Sequence, residues 1–182
     1  MGDVHERLDD RLTAWLRAQP VFFVSTAPLA ADGLVNCSPK GLTGSFTVVT
    51  DQRVAYLDLT GSGIETVAHL RENGRIVLMF CAFEGPPRIV RLHGTGRVVT
   101  PEDSEFNQLL SDFPSHPGVR SIIVVDLSRI ADSCGFAVPL MTYQGDRDLL
   151  DRSAVKKGPA KLAEYRASRN AVSLDGLPGL GA

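Results

Sequence analysis

Val54-Ala-Tyr-Leu-Asp-Leu59, Thr60-Gly-Ser-Gly63, Ile64 to Asn73, Arg75-Ile-Val-Leu-Met-Phe-Cys-Ala-Phe83 and Arg88-Ile-Val-Arg-Leu-His-Gly-Thr-Gly-Arg-Val-Val99 follow one another almost without interruption. They read as strand, glycine turn, helix, strand, tight turn, strand. At their centre is Gly61-Ser62-Gly63, a turn with a helix start just beyond it. Such a turn offers free backbone N–H groups and the positive end of a helix dipole, which suit a phosphate or another anion. Taken alone, a flexible strand-to-helix connection is the first reading, and the anion site the second.

The helix in this stretch carries Ile64, Val67, Ala68 and Leu70 on one face, and Asn73-Gly74 is a good stop. Arg75 to Phe83 is nearly continuous in apolar residues and reads as a strand buried on both faces. Glu84-Gly-Pro-Pro87 is its turn. Beyond it Ile89, Arg91 and His93 fall on one face and Arg88, Val90 and Leu92 on the other, and Gly94 and Gly96 suggest a bulge or a close approach. The spacing is not a dinucleotide fingerprint: a third glycine is absent and no helix follows.

Working outward, residues 3–19 read as one amphipathic helix with Leu8, Leu12, Trp15 and Leu16 on a stripe, stopped by Pro20. Strands are predicted at Val21–Thr26, Leu34–Ser38 (ended by Pro39), Ser45–Val49 and Val54–Leu59. Short apolar runs with turn signals about every ten residues argue a meandering antiparallel sheet or barrel. A short helix is expected over Glu102 to Ser111, a long strand over Val119 to Ser133, and a charged helix over Lys156 to Arg169. Ser173-Leu-Asp-Gly-Leu-Pro-Gly-Leu180 has too little apolar area to fold alone. It must lie on its own barrel or on a partner subunit.

Composition narrows the function classes. The chain has 182 residues, enough for a single domain with a sizeable core, and a formal net charge of −2. That charge gives no global case for nucleic acid or an acidic membrane. No run approaches the ~20 apolar residues of a membrane helix, and no export signal is visible, so a cytoplasmic location is expected. Cys37, Cys81 and Cys134 are isolated, and the four histidines are scattered, so no metal site is expected. Ser62 lies in Gly-Ser-Gly rather than a nucleophile elbow, and there is no nucleotide-hydrolysing loop. Asp9-Asp10 and Glu102-Asp103 sit at helix starts, where acids belong electrostatically. No side chain stands out as nucleophile or general base, so the catalytic residues stay unassigned; the pattern fits chemistry carried by a bound cofactor.

A second candidate stretch is Asn36-Cys37-Ser38-Pro39-Lys40-Gly41, with Lys40 a point charge suited to a phosphate or an electron-rich ring edge. Arg88, just past Pro86-Pro87, is a possible anion clamp. The plain readings are a surface lysine in a turn and an edge-strand charge that discourages aggregation.

In order and spacing, Val21–Thr26, Asn36–Gly41, Ala55–Thr66, His69–Phe80 and Arg88–Gly94 together resemble the pyridoxamine 5′-phosphate oxidase-like family of flavin-binding split barrels, over roughly residues 20–130. The resemblance implies a mainly β fold, a six-stranded antiparallel split barrel of FMN-binding type with peripheral helices. It makes residues 20–133 the barrel core and 134–182 a C-terminal helix and tail. It implies an intertwined homodimer with FMN at the interface, acting as an oxidoreductase on a small molecule. It also implies cofactor-binding roles for Asn36, Cys37, Ser38 and Lys40 on the strand along the ring, with Lys40 matching a lysine near the substrate phosphate, for Ser62, Gly63 and Thr66 at the cofactor phosphate, and for Arg88 in the strand beyond. The alternatives are a reductase using a deazaflavin, a non-catalytic flavin- or haem-binding protein, and an apo-structural relative whose site has decayed. The oxidase itself carries Arg-Lys in the phosphate turn, where Gly63-Ile64-Glu65-Thr66 stand here. Its strand-pair glutamine is Ile89 here. Its C-terminal Arg-x-His motif is missing, the letters Arg91-Leu-His93 falling on an earlier strand. True pyridoxamine 5′-phosphate oxidase activity is therefore not expected.

Overall fold

The structure, a computed structural model, describes residues 2–180. Its strands are β1 (Val4–His5), β2 (Phe22–Thr26), β3 (Asn36–Lys40), β4 (Phe46–Thr50), β5 (Arg53–Leu59), β6 (Arg75–Cys81), β7 (Ile89–Val99) and β8 (Val119–Ser133). Its helices are α1 (Asp10–Arg17), α2 (Glu65–Asn73), α3 (Phe106–Leu110) and α4 (Leu149–Arg169). Every strand pairing is antiparallel. The order is β3-β2-β6-β7-β8-β5-β4, with β1 added to β8. The outer strands β3 and β4 do not pair with each other, so the barrel is split.

The sheet curls because one face of nearly every strand is apolar. Phe22, Val24, Tyr56, Leu78, Phe80, Leu92 and Ile123 meet Leu12 and Leu16 of α1 and Val67 and Leu70 of α2 in one core. Phe22, Phe46, Tyr56 and Phe80 form its aromatic centre, with ring centroids 5.0–5.6 Å apart. A second core lies on the other face of β5 and β8, where Ala55, Leu57, Ile122 and Val124 pack under Phe106 of α3. These two strands are therefore buried on both faces.

Several boundaries differ from expectation, each for a local reason. The fold has eight strands rather than six, one of them the two-residue β1. The first helix does not begin at residue 3: Val4 and His5 pair with Ala131 and Ile130, and the Asp9 carboxylate accepts from the Leu12 N–H at 2.7 Å and caps the helix there. Pro39 does not end the second strand. It sits inside β3, an edge strand that pairs with β2 alone, where a missing N–H is tolerated. The strand β6 is not buried on both faces, because Val77 and Met79 stay half-exposed. The α3 helix is shorter than expected, because Asp103 turns back to accept from the Thr100 N–H and hydroxyl. The α4 helix starts earlier and is broken at Gly158, whose φ is 69°, just before Pro159.

Both readings of the glycines in β7 hold. The register with β8 shifts between His93 and Gly94, and a Cβ on Gly94 would stand 2.2 Å from the Asp126 carbonyl oxygen. Gly94→Ala should therefore cost about 1–3 kcal/mol, read as a lowered urea midpoint at constant slope. An unchanged midpoint would contradict the close approach.

Candidate functional site

Strand alternation sorts the second candidate stretch. Asn36, Ser38 and Lys40 lie opposite Thr26, Val24 and Phe22, on the side of β3 that faces the barrel interior. Cys37 and Pro39 point the other way and are exposed. The inward residues join a polar network. The Ser38 hydroxyl donates to Asn36 Oδ1 at 2.9 Å. Asn36 Nδ2 donates to Thr26 Oγ1 at 3.1 Å and Thr66 Oγ1 at 3.0 Å. Thr26 Oγ1 lies 2.9 Å from Nδ1 of the fully buried His69. Asn36, Ser38 and Thr66 are thus brought together across β3, β2 and α2.

The glycine turn is built from its carbonyls inward. Asp58 and Arg120, at 0% and 5% exposure, face each other across β5 and β8. Arg120 donates from Nε to Asp58 Oδ2 at 2.7 Å and from Nη2 to Oδ1 at 3.2 Å. It also donates to Gly61 O at 3.3 Å, to Gly63 O at 2.8 Å and to Asn170 Oδ1 at 2.9 Å. Those contacts use all five N–H groups of a guanidinium. The Ser121 hydroxyl donates to Asp58 Oδ2 at 3.0 Å, and Lys40 Nζ stands 3.6 Å from Oδ1. Asn170 Nδ2 adds a second bond to Gly61 O at 2.9 Å, and Arg166 Nε reaches Thr60 Oγ1 at 2.9 Å. With the carbonyls of Gly61 and Gly63 tied inward, the N–H groups of Ser62 and Gly63 and the Ser62 hydroxyl make no hydrogen bond among the described residues. Glu65 leans over this turn, its Oε2 2.7 Å from where a Cβ on Gly63 would stand.

The charges follow from this packing. Burial alone would raise the Asp58 carboxyl, but the charges of Arg120 and Lys40 and the hydrogen bonds from Arg120 and Ser121 hold it below the usual carboxylate range. Burial, with Asp58 nearby, pushes the Tyr56 hydroxyl well above its ordinary value despite Arg120. That hydroxyl is buried without a partner among the described residues.

Cys37 and Arg88 stand apart from the rest. Cys37 is on the outer face of the edge strand. Arg88 is spent on Asp132, with Nη2 to Oδ2 at 2.7 Å, and its guanidinium lies 5.2 Å from the centre of the Trp15 ring. It lines a groove of about 1220 Å³ with Trp15, Phe22, Phe46 and Tyr143, and none of the other seven candidates lines that groove. Among the described residues no three His, Cys, Asp or Glu side chains gather as metal ligands. Among the described residues no helix is long and apolar enough to cross a membrane.

Arg120, Asp58, His69 and Asn170 were not among the candidates read from sequence. A signal for the first two existed. Asp58 interrupts one apolar strand and Arg120 another, and opposite charges in two buried strands must meet or be neutralised. Nothing local marked His69 or Asn170, which depend on chain segments far away in sequence.

Residues 8–134 match the family described as pyridoxamine 5′-phosphate oxidase. The chain belongs to that family. A pyridoxamine 5′-phosphate oxidase family protein of Aspergillus flavus, ustO, is 42% identical over 194 residues, covering 97% of this chain and 77% of the relative. The crystal structure of a histidine-to-alanine variant of HupZ from Group A Streptococcus superposes with a TM-score of 0.54 at 20% identity, over 69% of this chain and 98% of that one. An FMN-binding protein from Syntrophomonas wolfei superposes at 0.48 with 16% identity, over 72% and 85%. The streptococcal likeness shows the fold alone, and the second is weaker still.

Removing one partner of the buried pair leaves an uncompensated charge. Arg120→Met should cost about 3–5 kcal/mol in urea unfolding, and Asp58→Leu in the same chain should recover part of it. Asp58 has a folded value below its unfolded value of about 3.9, so its contribution is present above that pH and is lost as pH falls through the lower folded value. Asp58→Asn should therefore flatten the acid limb of the stability curve below about pH 4. An acid limb identical to the wild type would refute the assignment.

Proposed function

We propose that this family member binds FMN, the phosphate at Ser62, Gly63 and Thr66 and the ring along Asn36, Ser38 and Lys40, and that it is a homodimeric oxidoreductase for a small molecule. The observation that carries the reading is the glycine turn. Its carbonyls are tied inward, while the N–H groups of Ser62 and Gly63 and the Ser62 hydroxyl have no hydrogen-bond partner among the described residues, at the start of α2. Such an arrangement suits a phosphate.

The residues present fit that group through neutral donors. Arg120 is consumed by its five bonds, and Lys40 is held toward Asp58. Backbone N–H groups, Ser62 and Thr66 would hold the phosphate. Lys40, 6.0 Å from the centre of the Tyr56 ring, would set the electrostatics near the ring edge. Bound FMN would supply hydride acceptance and return. The protein's part is orientation: the Ser38–Asn36–Thr66 bonds fix the strand edge against the helix. The oxidase's own cationic pair and strand glutamine are absent, so the substrate is a small molecule other than pyridoxamine 5′-phosphate. Three free thiols, Cys37, Cys81 and Cys134, support a reducing, cytoplasmic setting.

The homodimer rests on the outer face of the sheet. Pro39, Phe23, Met79, Arg91 and Ala131 form one cross-strand row, with Ser25, Val77 and His93 beside it. Phe23, Val77 and Met79 are half-exposed, and a second copy of this chain would cover them.

Purified protein should be yellow, with absorbance near ~450 nm, or should take up FMN on titration. A colourless protein that binds no FMN would overturn the reading, and uptake of a deazaflavin in its place would move the chain to the reductase alternative. Ser62→Asp should weaken FMN binding at least about fivefold by setting a carboxylate against the phosphate, whereas unchanged affinity would move the phosphate elsewhere. Sedimentation at one subunit's mass across micromolar concentrations would refute the dimer.

A further inference from the structure

His69 is fully buried, and its Nε2 has no hydrogen-bond partner among the described residues. Thr26 Oγ1 accepts from Asn36 Nδ2 and lies 2.9 Å from His69 Nδ1. The tautomer with Nδ1 accepting from the Thr26 hydroxyl and the ring N–H on Nε2 is assigned here because it turns a donor, rather than a lone pair, toward the carboxylate nearest Nε2. A buried N–H without an acceptor is costly, and its direction is set by three side chains behind it.

What faces that N–H is the chain's own tail. Asp175 Oδ2 stands 3.8 Å from Nε2, beyond hydrogen-bond distance. Both Asp175 oxygens lie 3.2 Å from the Leu34 N–H, a long and shared contact. The carboxylate satisfies neither donor well. The segment that carries it is a self-contained turn. Ser173 N donates to Leu177 O at 2.9 Å, Leu177 N donates to Ser173 Oγ at 3.1 Å, and Gly176 has a φ of 75°. Its base is anchored: Gly179 N donates to Ala171 O at 2.7 Å, Leu180 N donates to Asn170 O at 2.8 Å, Arg71 donates to Gly179 O, and Leu180 packs on the core. Its tip is not, since Leu174 is 76% exposed. Among the described residues, the hydrogen bonds from the tip to the barrel are those accepted by Asp175.

We propose that His69 Nε2–H and Leu34 N–H form a two-donor anion site, and that Asp175 is a tethered stand-in which a ligand's phosphate group displaces. The placement supports displacement rather than a fixed ion pair. Thr66 and His69 are three residues apart on α2 and so share a face, and Thr66 already belongs to the Ser38–Asn36 network. A phosphate seated at the start of α2 meets the Asp175 carboxylate as a like charge. With the base of the turn anchored and its tip free, the turn yields. The identity of this phosphate as that of FMN rests on the reading above; the two-donor site does not.

The test uses the full chain with Asp175→Asn and Asp175→Ala. FMN and riboflavin are titrated by flavin fluorescence, and inorganic phosphate is titrated by thermal unfolding. Removing one unit charge at this distance should tighten FMN at least about fivefold in both variants and leave riboflavin unchanged. Inorganic phosphate should raise the Tm of both variants more than that of the wild type. Adding His69→Phe to Asp175→Ala should remove that gain. If FMN and phosphate act alike on the wild type and both variants, the anion site falls while the flavin reading stands. If no form binds a flavin but phosphate still stabilises the variants selectively, the flavin reading falls and the anion site stands. Absence of both effects overturns both.

Discussion

The buried pair of Asp58 and Arg120 is the constraint on which the rest of the site depends. Two charges at 0% and 5% exposure are costly to desolvate, and the cost is offset only if every donor and acceptor is satisfied. Here that condition is met in one geometry. Asp58 takes Arg120 twice, with Ser121 and Lys40 completing its two oxygens. The remaining N–H groups of Arg120 go to Gly61 O, Gly63 O and Asn170 Oδ1. One guanidinium therefore fixes β5 against β8, sets the conformation of the glycine turn and docks the end of α4. Lys40 is drawn to the same carboxylate, which places the end of β3 beside β5 although the two strands do not pair.

This explains how the glycine turn can present its N–H groups without cations of its own. In water a lysine or arginine beside the turn would add attraction that salt screens. Here the positive charge is used one layer deeper, neutralised by Asp58, and what reaches the surface is its consequence: carbonyls drawn inward and N–H groups with no partner among the described residues. Recognition by oriented amides does not need a net charge. It does become sensitive to acids nearby: Glu65 is the first residue of α2, and Asp175 stands beside His69 of the same helix.

The order of strands and helices was legible in the sequence because their faces alternate cleanly. Val90 and Leu92 go in while Ile89, Arg91 and His93 face out, and the glycine stop after Asn73 falls at the φ of 69° that it requires. The misplaced boundaries share a cause. Asp9, Pro39 and Asp103 act through partners that periodicity does not show: a cap, an edge position and a carboxylate turned back on its own backbone. Of the candidate residues, the structure joins Asn36, Ser38 and Thr66 in one hydrogen-bond network and leaves Cys37 and Arg88 outside it. For Cys37 the reason is parity, because a strand cannot send neighbouring side chains to the same face. For Arg88 it is competition, because Asp132 lies beside it on β8 and the Trp15 ring lies beneath its guanidinium.

The C-terminal segment shows why a site of this kind cannot be read from the barrel alone. Its apolar content is too small to fold by itself, yet it closes the molecule by spending polar groups. Asn170 is fully buried and bridges Arg120 to Gly61, and Arg166 reaches Thr60. From that anchor the chain turns back over α2 and sets the Asp175 carboxylate beside the buried ring of His69. A tail that merely stabilised the barrel would gain more from an apolar tip than from Leu174 in solvent and Asp175 at 3.8 Å from its nearest ring donor. The base of the tail is built like a core, with paired backbone and a packed leucine. Its tip is built like a ligand, with one anionic group held loosely by donors that a phosphate would satisfy better.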